Sequence, residues 1–199
     1  GRIASARDLT RRIIRFNLVL IEPLLALWSI WGLQLTWGMA VLPLSGLLLV
    51  IGGMGLGRLM LPAMGLQGRS RATFLISSSI ANHGFTMGTF LCFLFLGETG
   101  LGLSFLFISY FMIYIFTVIF SYARHVSRLG EGGIGIAAQV LDIQNLPLLA
   151  VAAALVLHAL DFPRPEVYFP LDALMMISVG LYYLSLGMSF APSKVFCFL

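Results

Sequence analysis

The chain has 199 residues, of which 59% are hydrophobic and only 10% charged, against about a quarter charged in an average soluble domain. That balance excludes an ordinary soluble domain and leaves room for about six or seven membrane spans of ~20 residues each. The net charge of +4 does not point to nucleic acid, because the arginines form no basic groove. Sixteen Phe, nine Met and twenty-one Gly fit helices packed closely in a bilayer. Cys92 and Cys197 lie far apart, so neither a structural disulfide nor a metal site is expected. No stretch resembles a cleavable signal peptide. A start at Gly1 and a stop at Lys194–Leu199 without a polar tail are what a piece of a longer protein would show.

Six apolar segments give an all-α polytopic fold: 13–35, 38–61, 72–96, 101–123, 146–161 and 168–191. Arg2, Arg7, Arg11, Arg12 and Arg15 precede the first, which carries Asn17, Glu22 and Pro23 and ends among Trp28, Trp31 and Trp37. The tryptophans suit an aromatic belt. An ionisable group about two turns into a span is a functional candidate, here for a coupling proton. Pairing of Glu22 with a nearby arginine, or contact with water, explains it equally well. Pro23 removes a helical hydrogen bond and frees a carbonyl close by. In the second segment Gly53 and Gly57 are spaced for helix packing.

The third segment is interrupted by Ser77-Ser-Ser-Ile-Ala-Asn-His-Gly-Phe-Thr-Met-Gly-Thr89. Hydrocarbon offers no partners for hydroxyls, amides or loosened backbone, so such a run must face protein or a water-filled cavity. Loosened helices at the midplane are how many secondary transporters build a substrate site. Asn82, His83, Gly84, Gly88 and Thr89 are therefore the leading site residues. Asn82 would donate an amide hydrogen bond and His83 bind or relay a proton. Gly84 and Gly88 would loosen the helix; their bland reading is a small-residue packing face.

Gly97-Glu-Thr-Gly100 is a turn, with Glu98 suited to a helix start. Gly130, Gly132 and Gly135 match a dinucleotide-binding pattern by letter but follow a membrane helix instead of a strand, which reads as a linker. The organisation expected is membrane helices over 1–125, a cytoplasmic linker over 126–144, and further helices over 145–199. The fifth segment is short; His158 and, in the sixth, Asp172 suit the outer interface. Eleven of the twelve basic residues fall on one side of this six-span alternation and only Arg164 on the other. By the positive-inside rule both ends are cytoplasmic, in a cell inner (plasma) membrane. No nucleophile–base pair or phosphate loop stands out, so an enzyme is not expected, and no cofactor is called for.

Five stretches resemble the auxin efflux carrier family, within the bile-acid/sodium symporter-like group. Ala81-Asn-His-Gly-Phe-Thr-Met-Gly-Thr-Phe90 resembles G-N-T-G-F-x-G-x-P-L, and Leu96-Gly-Glu-Thr-Gly-Leu101 the F-G-E-x-G-L that follows it. Asn145-Leu-Pro-Leu-Leu-Ala150 resembles an N-P-L-L start of the family's second half, and Leu184-Ser-Leu-Gly-Met-Ser-Phe190 an L-x-L-G-M-S-L ending. Asn17 to Leu25 is similar to the family's second helix. The resemblance implies helices two to seven of a ten-helix inverted-repeat transporter with a broken crossover helix. It also implies a secondary-active permease for a small organic anion, coupled to protons, sodium ion or membrane potential, in a bilayer and open to forming a homodimer. The departures are Thr89 at the crossover proline, His83 at a threonine and Gly180 at a seventh-helix proline. A transporter-like sensor or anchor module of a signalling protein is the alternative these departures allow.

Overall fold

The computed structural model describes residues 2–80, 85–114, 119 and 145–189. The expected linker and the stretches containing Asn82, His83, Gly84, Arg124, Arg128, Lys194 and Cys197 lie outside the described residues. Among the described residues the chain is helical, with no strand. Helix α1 (Arg2–Phe16) runs into a π-helical turn, Asn17–Ile21, and on into α2 (Glu22–Trp31). A short 3-10 turn, Trp37–Ala40, leads to α3 (Val41–Met64), followed by α4 (Gly68–Ser79). A second π-helical turn, Phe85–Thr89, opens α5 (Phe90–Tyr114), and α6 (Leu146–Ala159) and α7 (Leu171–Ser189) complete the set.

Among the described residues four stretches are, by length and composition, long and apolar enough to cross a membrane: Asp8–Trp31, Trp37–Met64, Thr86–Tyr110 and Leu171–Ser189. At 1.5 Å per residue, α3 alone reaches about 36 Å. α6, with 14 residues, falls short of a full span, in line with the short fifth segment. The third of these stretches is bent at Gly97, whose φ of 60° and ψ of −144° belong to a region open to almost no residue but glycine. A side-chain carbon at Gly100 would strike the carbonyl of Cys92. In an unbroken helix those positions are more than two turns apart, so the chain doubles back there. The turn expected at 97–100 is thus present, inside what otherwise reads as one helix.

α2 is the centre of the bundle. Leu25, Ala26 and Ile30 are fully buried, and around them pack Leu101 and Phe105 of α5, Val151 and Ala154 of α6, and Met175 and Val179 of α7. Small residues set the spacing. A Cβ at Gly102 of α5 would lie 2.9 Å from the carbonyl oxygen of Ser29 and 2.7 Å from Leu33. Trp28 stacks on Phe169 at 4.5 Å, while Asn17, eleven residues earlier, meets Ser178. α1–α2 and α7 are therefore antiparallel.

α3 stands at the edge, with Leu44, Leu48, Leu56 and Leu59 all exposed, as a lipid-facing helix would be. Its inner face takes α4 at Gly53 and Gly57, where Ser78 seats, and takes α5 at Gly46, where Tyr110 seats. The Gly53-x-x-x-Gly57 spacing is a packing face. Because the Ser78 carbonyl lies only 2.5 Å from a Cβ at Gly53, whereas one at Gly52 meets nothing, Gly53→Ala should destabilise the protein by about 1–3 kcal/mol. Gly52→Ala should be neutral or gain up to about 1 kcal/mol from helix propensity. Thermal unfolding of the two variants in detergent checks this pair.

Candidate functional site

The first polar element forms around Pro23. Proline brings no N–H and its ring crowds the carbonyl four residues back, here that of Val19. The helix responds by widening by one residue: the Glu22 amide donates to the carbonyl of Asn17, five residues earlier. Such π-bulges recur at functional sites. The widened turn puts Asn17 and Glu22, five apart, over one another on the face turned towards α7.

Both side chains are inside the bundle, Asn17 with no exposed surface and Glu22 with 6%. The Asn17 amide donates from Nδ2 to the carbonyl of Ser178 at 2.9 Å. The Tyr182 hydroxyl donates to the Glu22 carboxylate. Ser178, Tyr182 and Ser185 follow at i, i+4 and i+7, one face of α7. Among the described residues Glu22 makes no ion pair; the two pairs present are Arg11–Asp8 and Arg164–Glu98.

The second polar element is the interrupted helix. α4 ends at Ser79, and Ile80 is already extended, with φ −98° and ψ 105°. The chain is helical again from Phe85 in the second π-helical turn, which holds Gly88 and Thr89. This turn packs on α7, and the Tyr183 hydroxyl donates to the Thr86 carbonyl at 3.2 Å. Thr89 is fully buried. α7 thus contacts both π-helical turns, bringing Glu22 and Thr89 to one helix although 67 positions separate them. Asn82, His83 and Gly84 lie outside the described residues.

Helical serines show which hydroxyls serve only as local structure. Ser29, Ser45, Ser78, Ser79, Ser104 and Ser109 each donate to a carbonyl three or four residues back in their own helix, the usual local satisfaction. The hydroxyls of Ser178, Ser185 and Thr89 do not, and together with Asn17 Oδ1 they are buried without a hydrogen-bond partner. Sequence reading passed over Ser178, Tyr182 and Ser185. Their i, i+4, i+7 spacing inside an apolar helix was the available signal.

A second cluster closes one end of the bundle. Arg164, in the connection before α7, pairs with Glu98 beside the Gly97 turn. Its guanidinium lies 4.9 Å over the Trp28 ring and reaches the Trp28 carbonyl at 3.5 Å. Gly32 leaves room for it. The Trp31 indole donates to the Phe162 carbonyl at 2.9 Å, and His158 Nε2 lies 3.1 Å from the Ile30 carbonyl. Trp28 and Trp31 therefore clamp protein to protein, whereas Trp37, 96% exposed, is free to sit at an interface. Glu98 acts as an ion-pair partner beyond its place in the turn, and Asp172 lies in the first turn of α7.

No protein-family model matches the chain, and no curated protein or solved structure matches it either.

Two outcomes follow from these contacts. Asn17→Ala removes a buried donor and leaves the Ser178 carbonyl one partner short, which should cost about 1–3 kcal/mol. Arg164→Ala breaks a half-exposed pair worth about 1 kcal/mol or less, plus its stacking on Trp28. Thermal melts should rank Asn17→Ala as the more damaging change. Limited proteolysis between residues 160 and 170 should accelerate only for Arg164→Ala.

Proposed function

We propose that this chain is part of a secondary-active carrier, a permease for a small organic anion working by alternating access coupled to protons, sodium ion or membrane potential. The observation that supports it best is the end of the helix at Ser79–Ile80, between apolar helices, with the π-helical turn Phe85–Thr89 packed on α7. Backbone that leaves the helix at bilayer depth is tolerated only where protein or a cavity meets its polar groups, and transporters use such breaks as binding sites. In this reading Asn82, His83, Gly84, Gly88 and Thr89 form half of a midplane site, and the six segments are helices two to seven of a ten-helix inverted-repeat fold like that of the auxin efflux carriers. The ion pair of Arg164 with Glu98 suits this topology: the lone basic residue expected on the outer side is held by a carboxylate at the same end.

The test is uptake of a panel of labelled small carboxylates by liposomes carrying the natural full-length protein. A transported member of the panel, with Asn82→Ala abolishing its uptake, is the expected result. Normal uptake by Asn82→Ala at equal expression removes Asn82 from the site. Saturable binding of a panel member without counterflow would replace the carrier reading with a sensor.

A further inference from the structure

The polar pair beside Pro23 is built differently from the rest of the bundle. Glu22 is an ionisable group among Ile21, Leu25 and Ala26. A carboxylate in an apolar interior is normally paired with a cation or a metal. α6 and α7 pack against the first π-helical turn and α2, and α5 packs against α2. From α7 the group facing Glu22 is Tyr182; Tyr183 is turned to the Thr86 carbonyl, and Asp172 is exposed at the far end of the helix. From α6 the titratable side chain is His158, at Ile30. From α5 the charged side chain is Glu98, held by Arg164 at Trp28 and Gly32; its other titratable residues are Cys92, Tyr110 and Tyr114, and both tyrosines pack with Val50 of α3. On its own helix the nearest charge is Arg15, seven residues back and exposed. Among the described residues, the Glu22 carboxyl is met by a neutral phenol and by no positive charge.

On the same α2–α7 contact are two oxygens without hydrogen-bond partners, Asn17 Oδ1 and Ser178 Oγ, both fully buried. The Asn17 amide is fixed by its donation to the Ser178 carbonyl, which points its oxygen the other way. A carboxyl, a phenol, a locked amide and a serine hydroxyl that does not bond back to its own helix make a site for an exchangeable proton and the water that delivers it. Buried waters typically take about three such partners.

We infer that Glu22, with Tyr182, Asn17 and Ser178, forms a proton-binding site inside the membrane region that ties the charge on Glu22 to the seating of α7. In the charged state the Tyr182 O–H donates to the carboxylate, a charge-assisted bond about twice as strong as a neutral one. Hydronium then delivers a proton to the carboxylate, forming the Glu22 O–H bond and leaving water; nothing is oxidised or reduced. The neutral acid is itself a donor, and Asn17 Oδ1 and Ser178 Oγ are unfilled acceptors on the same α2–α7 contact, reachable through a bridging water. The bond holding α7 through Tyr182 weakens as the proton binds. The π-helical turn is the part able to absorb the adjustment, since it already carries one residue more than a regular turn. This inference stands on the geometry and not on the carrier reading: a sensor could use the same site.

Infrared difference spectroscopy of the protein in nanodiscs, titrated from alkaline to acidic pH, tests it without any substrate. The expected signal is the carbonyl band of a protonated carboxylic acid in an apolar setting, shifted by ¹³C-glutamate labelling of the wild-type protein. The band should vanish in Glu22→Gln, persist in Glu98→Gln, and shift in frequency and midpoint in Tyr182→Phe. The labelled wild-type titration needs no variant to fold. Absence of any labelled-glutamate band, or a band unchanged in Glu22→Gln, overturns the proposal. A band that disappears in Glu22→Gln while liposomes transport nothing sustains the site and removes only the carrier.

Discussion

In hydrocarbon a polar group has no solvent to fall back on, and that constraint arranges the described helices more than any single apolar contact does. The apolar stripe of α2 can pack against many partners; Leu25, Ala26 and Ile30 only ask for something close-fitting. What selects α7 and its direction is polar. Asn17 requires an acceptor and finds the Ser178 carbonyl, and the Glu22 carboxylate requires a donor and finds Tyr182. A bundle that offered Leu at 182 would bury the same area and leave a carboxylate unmet. Unmet polar groups cost far more in this setting than a missing methyl.

The same principle works at the end where Trp28, Glu98 and Arg164 gather. The guanidinium sits over an indole, near a helix C-terminal carbonyl and beside a carboxylate. Each of these favours a cation, and the last residues of a helix do so through their unsatisfied carbonyls. Glycines at 32 and 102 admit the neighbours that a side chain would exclude. The end clamp and the polar pair at Asn17 and Glu22 are separated along α2 by an apolar stretch. α7 and its preceding connection touch both, as α2 itself does.

Much of this was legible beforehand. The apolar segments, the reversal at 97–100, the packing role of Gly53 and Gly57, the shortness of the fifth segment and the candidacy of Glu22 all follow from local rules: span length, turn chemistry and the cost of charge in lipid. The interruption near Ser79 was also written in the run of small and polar residues. Less legible were the partners. Arg164 read as the exception to a charge rule, and the structure shows it as half of an ion pair. Trp28 and Trp31 read as an interfacial belt, yet they clamp helix to connection, because an indole ring does not itself say whether lipid or protein lies against it. Tyr182 carried only the weak signal of its spacing with Ser178 and Ser185, since a tyrosine in an apolar helix is ordinary until a carboxylate faces it.

By itself the sequence determined where helices can exist and where they must bend or stop, because those depend on residues within a few positions of one another: Pro23 on the carbonyl of Val19, Gly97 on its own φ and ψ. It also put a carboxyl, Glu22, within an apolar segment, leaving open whether the bundle, an arginine or water would meet it. Which group would answer that carboxyl was decided only in three dimensions. Glu22 and Tyr182 are 160 positions apart, and no spacing rule reaches that far. Their meeting depends on the antiparallel packing of α7 against a helix widened by one residue, and it is the sum of those contacts, not any one stretch of chain, that places a phenol against an acid inside the bundle.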